Sequence, residues 1–247
     1  MESLISKQIT YALIKEKLGS EDKVIEYINN IRFPELKARL IDEARKFYAK
    51  QFKVQKDMVW YGDLSCADLD CSTPFPYSHV IGCLDLGSKA YDMTKLVYVT
   101  DIVSTGIQNF PNLEVIENEG NFNGTPHRQS YITSLPKLKV APYLYCANSH
   151  IRDLGLKEAI KVNLTNSSIK KINLKVVEED LSVSFSRIED ISSLKSVGNF
   201  NCRGTDIKVV NPGLEIFGKL HAENSNNFED KITTEKHDCW HTDNGKI

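Results

Sequence analysis

Apolar residues recur in a fixed phase through the second half of this chain. A Ser/Thr-x-Ile or Ser-Ile element places isoleucines 18 or 19 residues apart, and a second apolar residue follows each isoleucine by three positions. A period of this length predicts a solenoid, in which successive turns stack and bury their apolar sides against each other. The five pairs are Ile132 with Leu135, Ile151 with Leu154, Ile169 with Ile172, Ile188 with Ile191, and Ile207 with Val210.

Each repeat also contains an apolar-x-apolar triplet. Alternation with a period of two predicts a short strand with one buried face. Parallel stacking of such strands would cover each apolar residue with its counterpart in the next turn. The triplets are residues 144–146, 164–166, 181–183, 200–202 and 220–222, and residues 62–66 and 83–86 are candidates for earlier turns.

These repeats resemble the leucine-rich repeat, in particular bacterial and phage variants that read L-P-x-L-x-x-[VG]-G-x-L-x-[LV]-x-x-[ST]-x-I. The match is best over residues 133–223, in TSLPKLKVAPYLYCANSHI and SSLKSVGNFNCRGTDI, and it is weaker over residues 61–123. One departure is Asn166, which ends a triplet where an apolar residue is usual. The resemblance implies a curved solenoid with a parallel sheet and usually a role in protein recognition, and it carries no catalytic residue to this chain.

The first 56 residues have a helical pattern instead. Apolar residues step by three or four, Gly19 and Ser20 suit the end of one helix and the cap of the next, and Pro34 suits a first turn. We therefore predict a mainly β solenoid of leucine-rich-repeat type with an α-helical N-terminal cap. The predicted parts are a cap or docking segment (1–56), the solenoid (57–228) and a C-terminal tail (229–247). The apolar stripes are Ile5, Ile9 and Leu13; Val24, Ile28 and Ile31; and Leu36, Leu40, Ala44 and Phe47.

Charge differs between the two regions. Residues 1–56 hold 12 Lys and Arg against 8 Asp and Glu, a net of +4, which leaves 19 against 25, a net of −6, for the rest. Nucleic-acid binding would be expected to concentrate basic residues on one face, whereas the helical lysines alternate with glutamates. The sequence thus favours a solvated face, and a nucleic-acid binder through these helices stays an alternative.

Cellular location is predicted from what the sequence lacks. No run of 18 apolar residues suggests a membrane span, and the N-terminus does not resemble a secretory signal. The six cysteines have irregular spacing, and Cys66, Cys146 and Cys202 fall at inward strand positions, which suits buried thiols of a cytoplasmic protein.

No catalytic motif stands out. The chain has no phosphate-binding glycine loop, no Gly-x-Ser-x-Gly elbow and no His-Glu-x-x-His helix. His237, Cys239 and His241 would lie on one side of an extended segment and suit zinc, but the spacing is not that of a common zinc finger and a fourth ligand is needed. We therefore predict no metal, no cofactor and no enzymatic activity.

Function is then predicted from the outward side chains of the strands. Stacked turns should join them into a polar, asparagine-rich sheet face with two tyrosines on one strand, and tyrosines often dominate binding energy. The predicted function is a non-enzymatic protein-binding module, an inhibitor or adaptor of bacterial or phage origin. A second alternative is an effector enzyme with a site within residues 1–101 that the solenoid targets. The predicted binding residues are Tyr143, Tyr145, Asn163, Thr165, Asp180, Ser182, Asn199, Asn201, Lys219 and His221.

Overall fold

A computed structural model describes residues 9–65, 74–106 and 109–225. It begins with three helices, α1 (Tyr11–Leu18), α2 (Glu21–Asn29) and α3 (Pro34–Phe52), and a 3₁₀ turn (Lys56–Met58). Gly19 ends α1 with a φ of 75°, Ser20 occupies the N-cap position of α2 without a side-chain capping bond, and Pro34 is the first residue of α3. The predicted punctuation of these helices is confirmed.

The remaining described residues form a parallel β-solenoid of about eight turns. Its main sheet has 13 strands, and every strand pair in it is parallel. The main-sheet strands are β1 (Val59–Tyr61), β2 (Leu64–Ser65), β3 (His79–Gly87), β4 (Tyr98–Ser104), β5 (Val115–Ile116), β6 (Glu119–Asn121), β8 (Tyr143–Tyr145), β10 (Glu158–Ala159), β11 (Lys161–Asn163), β12 (Val176–Ser182), β14 (Ser196–Asn201), β16 (Glu215–Ile216) and β17 (Leu220–His221). Two short parallel pairs lie outside it, β7 (Ser134–Leu135) with β9 (Asp153–Leu154) and β13 (Asp190–Ile191) with β15 (Val209–Val210).

The predicted isoleucine column forms part of one continuous core. All five isoleucines of the repeat are at most 1% exposed and belong to the same apolar cluster. The apolar residues three positions later are buried too, except Val210, which is partly buried against the cluster. The isoleucines that recur along the sequence therefore belong to successive stacked turns, as the solenoid prediction required.

The corner after each triplet explains why a hydroxyl precedes the isoleucine. A residue with positive φ turns the chain, and at four corners the next Ser or Thr donates a hydrogen bond to the carbonyl oxygen three residues earlier, at 2.5 Å for Ser149, 2.5 Å for Ser186 and 2.6 Å for Thr205, and likewise from Ser225. The buried Ser167 hydroxyl, at the remaining corner, has no such partner among the described residues. Asparagine and glycine tolerate this backbone region best. The turning residues are Asn148, Asn166, Phe185, Gly204 and Asn224.

One predicted triplet was wrong by two residues. The register pairs Asn163 with Tyr145 on one side and with Ser182 on the other, so the triplet of this turn is 162–164 rather than 164–166. Asn166 has a left-handed backbone conformation and forms the corner of this turn. This explains why an asparagine occupies the position that the predicted triplet 164–166 assigned to an apolar residue. Thr165 accordingly follows strand β11, and the outward pair on that strand is Lys161 and Asn163.

The helices cover the outer face of the first strands rather than only closing the end of the solenoid. Their apolar residues share a second cluster with Val59 and Tyr61 of β1, Ile81 of β3 and Tyr98 of β4. The first residues of β3 and β4 are therefore buried on both faces. Arg45 of α3 also donates from Nε to the carbonyl oxygen of Val59 at 2.7 Å, which satisfies an acceptor on the edge strand.

Two helical apolar positions were predicted wrongly. Leu13 and Phe47 are 40% and 43% exposed. The buried positions nearby are Tyr11, Ile14 and Tyr48, because the tyrosines reach inward to a carboxylate on α2.

The return path of each turn is extended. Between residues 59 and 225 the described chain contains strands, bends and turns but no helical turn. Leucine-rich repeats combine a strand with a helix or a 3₁₀ segment, so the solenoid is established while its leucine-rich-repeat type stays a prediction. None of the described helices combines the length and apolar composition needed to cross a bilayer.

Candidate binding face of the solenoid

Two rows of outward side chains run along the main sheet, and we refer to them together as the sheet face. Parallel register aligns their members from strand to strand, at a spacing of about 4.8 Å. The first row is Asp63, Cys83, Asp101, Glu119, Tyr143, Lys161, Asp180, Asn199 and Lys219, and the second is Ser65, Asp85, Val103, Asn121, Tyr145, Asn163, Ser182, Asn201 and His221.

The tyrosine pair lies in the middle of this face. Tyr143 lies between Glu119 and Lys161 in the register, while Tyr145 lies between two asparagines. Both rings are half-buried, with Leu144 between them pointing into the core. Neither hydroxyl hydrogen-bonds to another described residue. The strand therefore presents two rigidly placed rings whose polar ends are available to a partner.

Beyond the tyrosines, the sheet face carries an ion pair that continues into a hydrogen-bonded amide. Lys161 Nζ lies 2.6 Å from Asp180 Oδ2, and Asn199 Nδ2 donates to Asp180 Oδ1 at 2.8 Å. The Asn199 side-chain oxygen in turn accepts from the backbone N–H of Lys219 at 2.8 Å. These bonds from Lys161, and then from Asn199, lower the pKa of Asp180. We call the face from Lys161 to His221 the paired half.

Hydroxyl groups continue the paired half after the strands. Thr165 Oγ1 lies 2.8 Å from Ser182 Oγ and 3.2 Å from Ser184 Oγ. Thr165, which was predicted as a partner of Asn163 in the outward row, thus belongs to a hydroxyl cluster one step further along the chain. A shallow groove of about 340 Å³ crosses this half and is lined by outward residues of β11, β12, β14 and β17 together with Lys219.

Before the tyrosines, the sheet face is acidic. Asp22 and Glu26 on α2 lie across a groove of about 320 Å³ from Asp63 and Asp101 on the sheet. Asp101 accepts a hydrogen bond from the backbone N–H of Glu119 at 3.0 Å. Burial nevertheless raises the pKa of Asp101, and the charge of Asp22 acts in the same direction. We call the face from Asp63 to Glu119, with Asp85 and the two α2 carboxylates, the acidic half.

Cys83 lies at the floor of the acidic groove. Burial, followed by the charges of Asp101 and Asp63, raises the pKa of its thiol to about 11. The thiol is therefore protonated at neutral pH and is a poor nucleophile. Sequence reasoning missed this groove, because its acidity appears only once α2 lies over the strands.

A serine and a histidine also meet within the first turns. Ser78 Oγ lies 2.8 Å from His79 Nδ1, and both residues are buried. The Phe52 ring stacks on the imidazole at a centroid distance of 4.5 Å. Burial lowers the pKa of His79, so the neutral ring packs between the helices and the sheet. This pair is separate from the sheet face.

The candidate metal ligands and the cysteines lie partly within and partly outside the described residues. No group of three or more His, Cys, Asp and Glu residues there could hold a metal ion. His237, Cys239 and His241 lie outside the described residues, as do Cys66 and the C-terminal tail. Cys146 and Cys202 are buried at the predicted inward positions, and Cys83 is partly buried.

Comparison with known proteins gives no relative from which a role could be transferred. No family model, curated protein or solved structure matches the chain.

Proposed function

We propose that this chain is a non-enzymatic protein-binding module and that its binding surface is the sheet face, centred on Tyr143 and Tyr145. The observation that carries the proposal is the pair of half-buried rings on β8 whose hydroxyls have no partner among the described residues. Tyrosine offers a large contact area and a hydrogen-bonding end at a low cost in side-chain entropy.

The stacked strands support this role because they hold the rings in place before binding. Tyr143 and Tyr145 lie on a strand that pairs with β6 on one side and β11 on the other. A surface that does not need to become ordered on binding loses less of its interaction energy. The predicted residues Asn163, Ser182, Asn201 and His221 share the second row with Tyr145 and form the polar surroundings of the pair.

Within this proposal the repeat is of leucine-rich-repeat type, and the module serves as an inhibitor or adaptor of bacterial or phage origin. Both statements rest on the sequence resemblance described above. Inhibition requires only that the sheet face cover a surface that the partner needs.

The two alternatives draw less support from the described contacts. Among the helical cations, Lys15, Arg39, Lys46 and Lys56 are paired with carboxylates and Arg45 bonds backbone carbonyls, which leaves less charge for a nucleic acid. In residues 1–101, Cys83 carries a protonated thiol and His79 is buried beneath Phe52, which disfavours an enzyme site built on either group.

The test compares a double tyrosine variant of the sheet face with a tyrosine variant outside it. The purified chain is used to capture a stoichiometric protein partner from its native host, and calorimetry then measures the affinity. Tyr143→Ala with Tyr145→Ala should weaken binding by about 30-fold or more, which corresponds to the roughly 2 kcal/mol of a hot spot. Tyr131→Ala is the matched control, since Tyr131 is exposed but lies outside the sheet face. Unchanged affinity of the double variant would refute the proposal.

A further inference from the structure

Charge compensation divides the sheet face at the tyrosine pair. In the paired half, Asp180 contacts Lys161, and this ion pair continues into the Asn199 bond. In the acidic half, none of the six carboxylates has a lysine, arginine or histidine within 4 Å among the described residues. These six are Asp22, Glu26, Asp63, Asp85, Asp101 and Glu119.

The carboxylates are close enough to act on one another. Asp63 and Asp101 both line the groove beneath α2, and both raise the pKa of the Cys83 thiol, as do Asp85 and Glu119. Asp22 raises the pKa of Asp101 from across the groove. The acidic half thus carries repulsion that a bound cationic group would relieve.

The acidic residues are spread along the sheet rather than gathered around one point. From Asp63 to Tyr143 the first row crosses four strand spacings, about 19 Å. Metal ions need several ligands at about 2 to 2.6 Å, and no described cluster meets that need. A row of this length matches about six residues of extended chain.

The groove beside α2 is lined by carboxylates of both the helix and the sheet. Gly82 also lines it, and a Cβ atom there would lie 2.6 Å from the Gly62 carbonyl oxygen, so glycine permits the close backbone approach that forms this wall of the groove. In the first row, Glu119 is the register neighbour of Tyr143. A segment lying in the groove would therefore continue directly onto the tyrosine pair.

We propose that the protein partner binds this face through an extended, lysine- or arginine-rich segment that lies along the acidic half and ends on Tyr143 and Tyr145. This inference rests on the proposed function and adds the chemistry of the partner. Complementary charge speeds association and rejects partners of the wrong sign. Because the acidic half is partly exposed, added salt should weaken the complex.

The test uses a fluorescent peptide of about eight residues that alternates lysine with serine, together with a matched peptide in which glutamine replaces lysine. Fluorescence anisotropy follows binding to the full chain at about 20 mM and about 300 mM salt. The lysine peptide should bind at low salt and lose most of its affinity at high salt, whereas the glutamine peptide should not bind. Failure of the lysine peptide to bind at low salt, or equal binding of both peptides, would overturn the inference.

Two charge variants locate the site. Asp63→Asn, Asp101→Asn and Glu119→Gln combined should weaken lysine-peptide binding by at least about tenfold, since several exposed charge pairs are lost together. The control combines Glu16→Gln, Glu35→Gln and Asp153→Asn, which change net charge equally away from the sheet face and should leave binding unchanged. Equal weakening by both variants would show attraction to net charge alone and would overturn the assigned site.

The captured partner separates the two proposals. If the tyrosine double variant loses that partner while the Asp63, Asp101 and Glu119 variant binds it with unchanged affinity and salt dependence, the basic-segment inference is wrong and the binding face stands. If the tyrosine double variant binds it normally, the binding face itself is wrong.

Discussion

The two halves of the sheet face have the same backbone but handle charge differently. In the paired half, Asp180 has a lysine on one neighbouring strand and an asparagine on the other. In the acidic half, Asp101 is bonded by a backbone N–H and an asparagine and faces other carboxylates. Side chains in one row of stacked parallel strands lie about 4.8 Å from their register neighbours. Opposite charges on adjacent strands can therefore pair, as in the paired half, whereas like charges repel each other, as in the acidic half.

Burial differs between the halves as well. The first residues of β3 and β4 are covered by the solenoid core on one side and by the helices on the other, whereas β12 and β14 alternate between buried and accessible positions. The acidic half therefore lies beside a doubly covered, rigid part of the molecule. The paired half depends on stacking within the solenoid alone.

The largest effect should come from creating a cavity in the core beneath the paired half. Phe200→Ala removes a fully buried ring and should lower the free energy of unfolding by about 3–5 kcal/mol. Phe217→Ala, at a position 74% exposed, is the control and should change stability by less than about 0.5 kcal/mol. Chemical denaturation measures both changes.

Because each turn contacts only its neighbours, hydrogen exchange in the Phe200→Ala variant should rise in β12, β14 and β17 before it rises in β3 and β4. Equal acceleration throughout would show that the two halves unfold as one unit.

A smaller effect should follow from breaking the link between helices and sheet. Glu21 accepts hydrogen bonds from the hydroxyls of Tyr11, Tyr48 and Tyr61 at 2.9, 2.7 and 2.5 Å, and Lys15 Nζ lies 3.0 Å away. Glu21→Gln should cost about 2 kcal/mol of unfolding free energy, since hydrogen bonds to a charged group contribute roughly 1.5–3 kcal/mol. Glu16→Gln, on the exposed side of α1, is the control and should have no measurable effect.

The same carboxylate predicts a pH dependence. Burial raises the pKa of Glu21, but the bonds from Tyr61, Tyr48 and Lys15 together outweigh burial and lower it below 4.5. A carboxylate whose pKa is lowered on folding contributes its full stability above its unfolded pKa and loses it as the pH falls through the folded pKa. The difference in stability between the wild type and Glu21→Gln should therefore shrink below pH 4.5. A difference that stays constant in acid would contradict this account.

The smallest effects should have opposite signs in the two halves. Asp101→Asn removes a charge that burial and then the neighbouring carboxylates disfavour, and it should raise the free energy of unfolding by about 0.5 kcal/mol at neutral pH. Asp180→Asn breaks an exposed ion pair and should lower the free energy of unfolding by a similar amount. Because the pKa of Asp101 is raised on folding, the gain from Asp101→Asn should begin to shrink as the pH falls through that raised pKa and should vanish below the ordinary pKa of an unfolded aspartate. If both variants changed the free energy of unfolding in the same direction, the proposed electrostatic difference between the two halves would be wrong.

Much of the solenoid could be predicted from the sequence because its period is carried by apolar residues that must be buried. Ile151, Ile169 and Ile188 keep their phase since each covers the next. The register of the 162–164 triplet was missed because Asn166 was aligned with apolar residues, although its backbone turns to positive φ. The tolerance of asparagine for positive φ is a local backbone property, so the pattern of apolar residues does not reveal it.

The candidate site was only partly predictable, for a different reason. Tyr143 and Tyr145 follow from alternation along one strand. The acidic half requires Asp22 on α2 and Asp63 on the sheet to meet, and these residues belong to separate patterns. Helical periodicity indicated that α2 has a buried side, but it did not say which strands that side would cover.

The corner described above is a left-handed residue followed, in most turns, by a hydroxyl that hydrogen-bonds within its own turn. Because that hydrogen bond lies within one turn, the change of chain direction is encoded by a few neighbouring residues. Burial of the isoleucine that follows still depends on the turns above and below it.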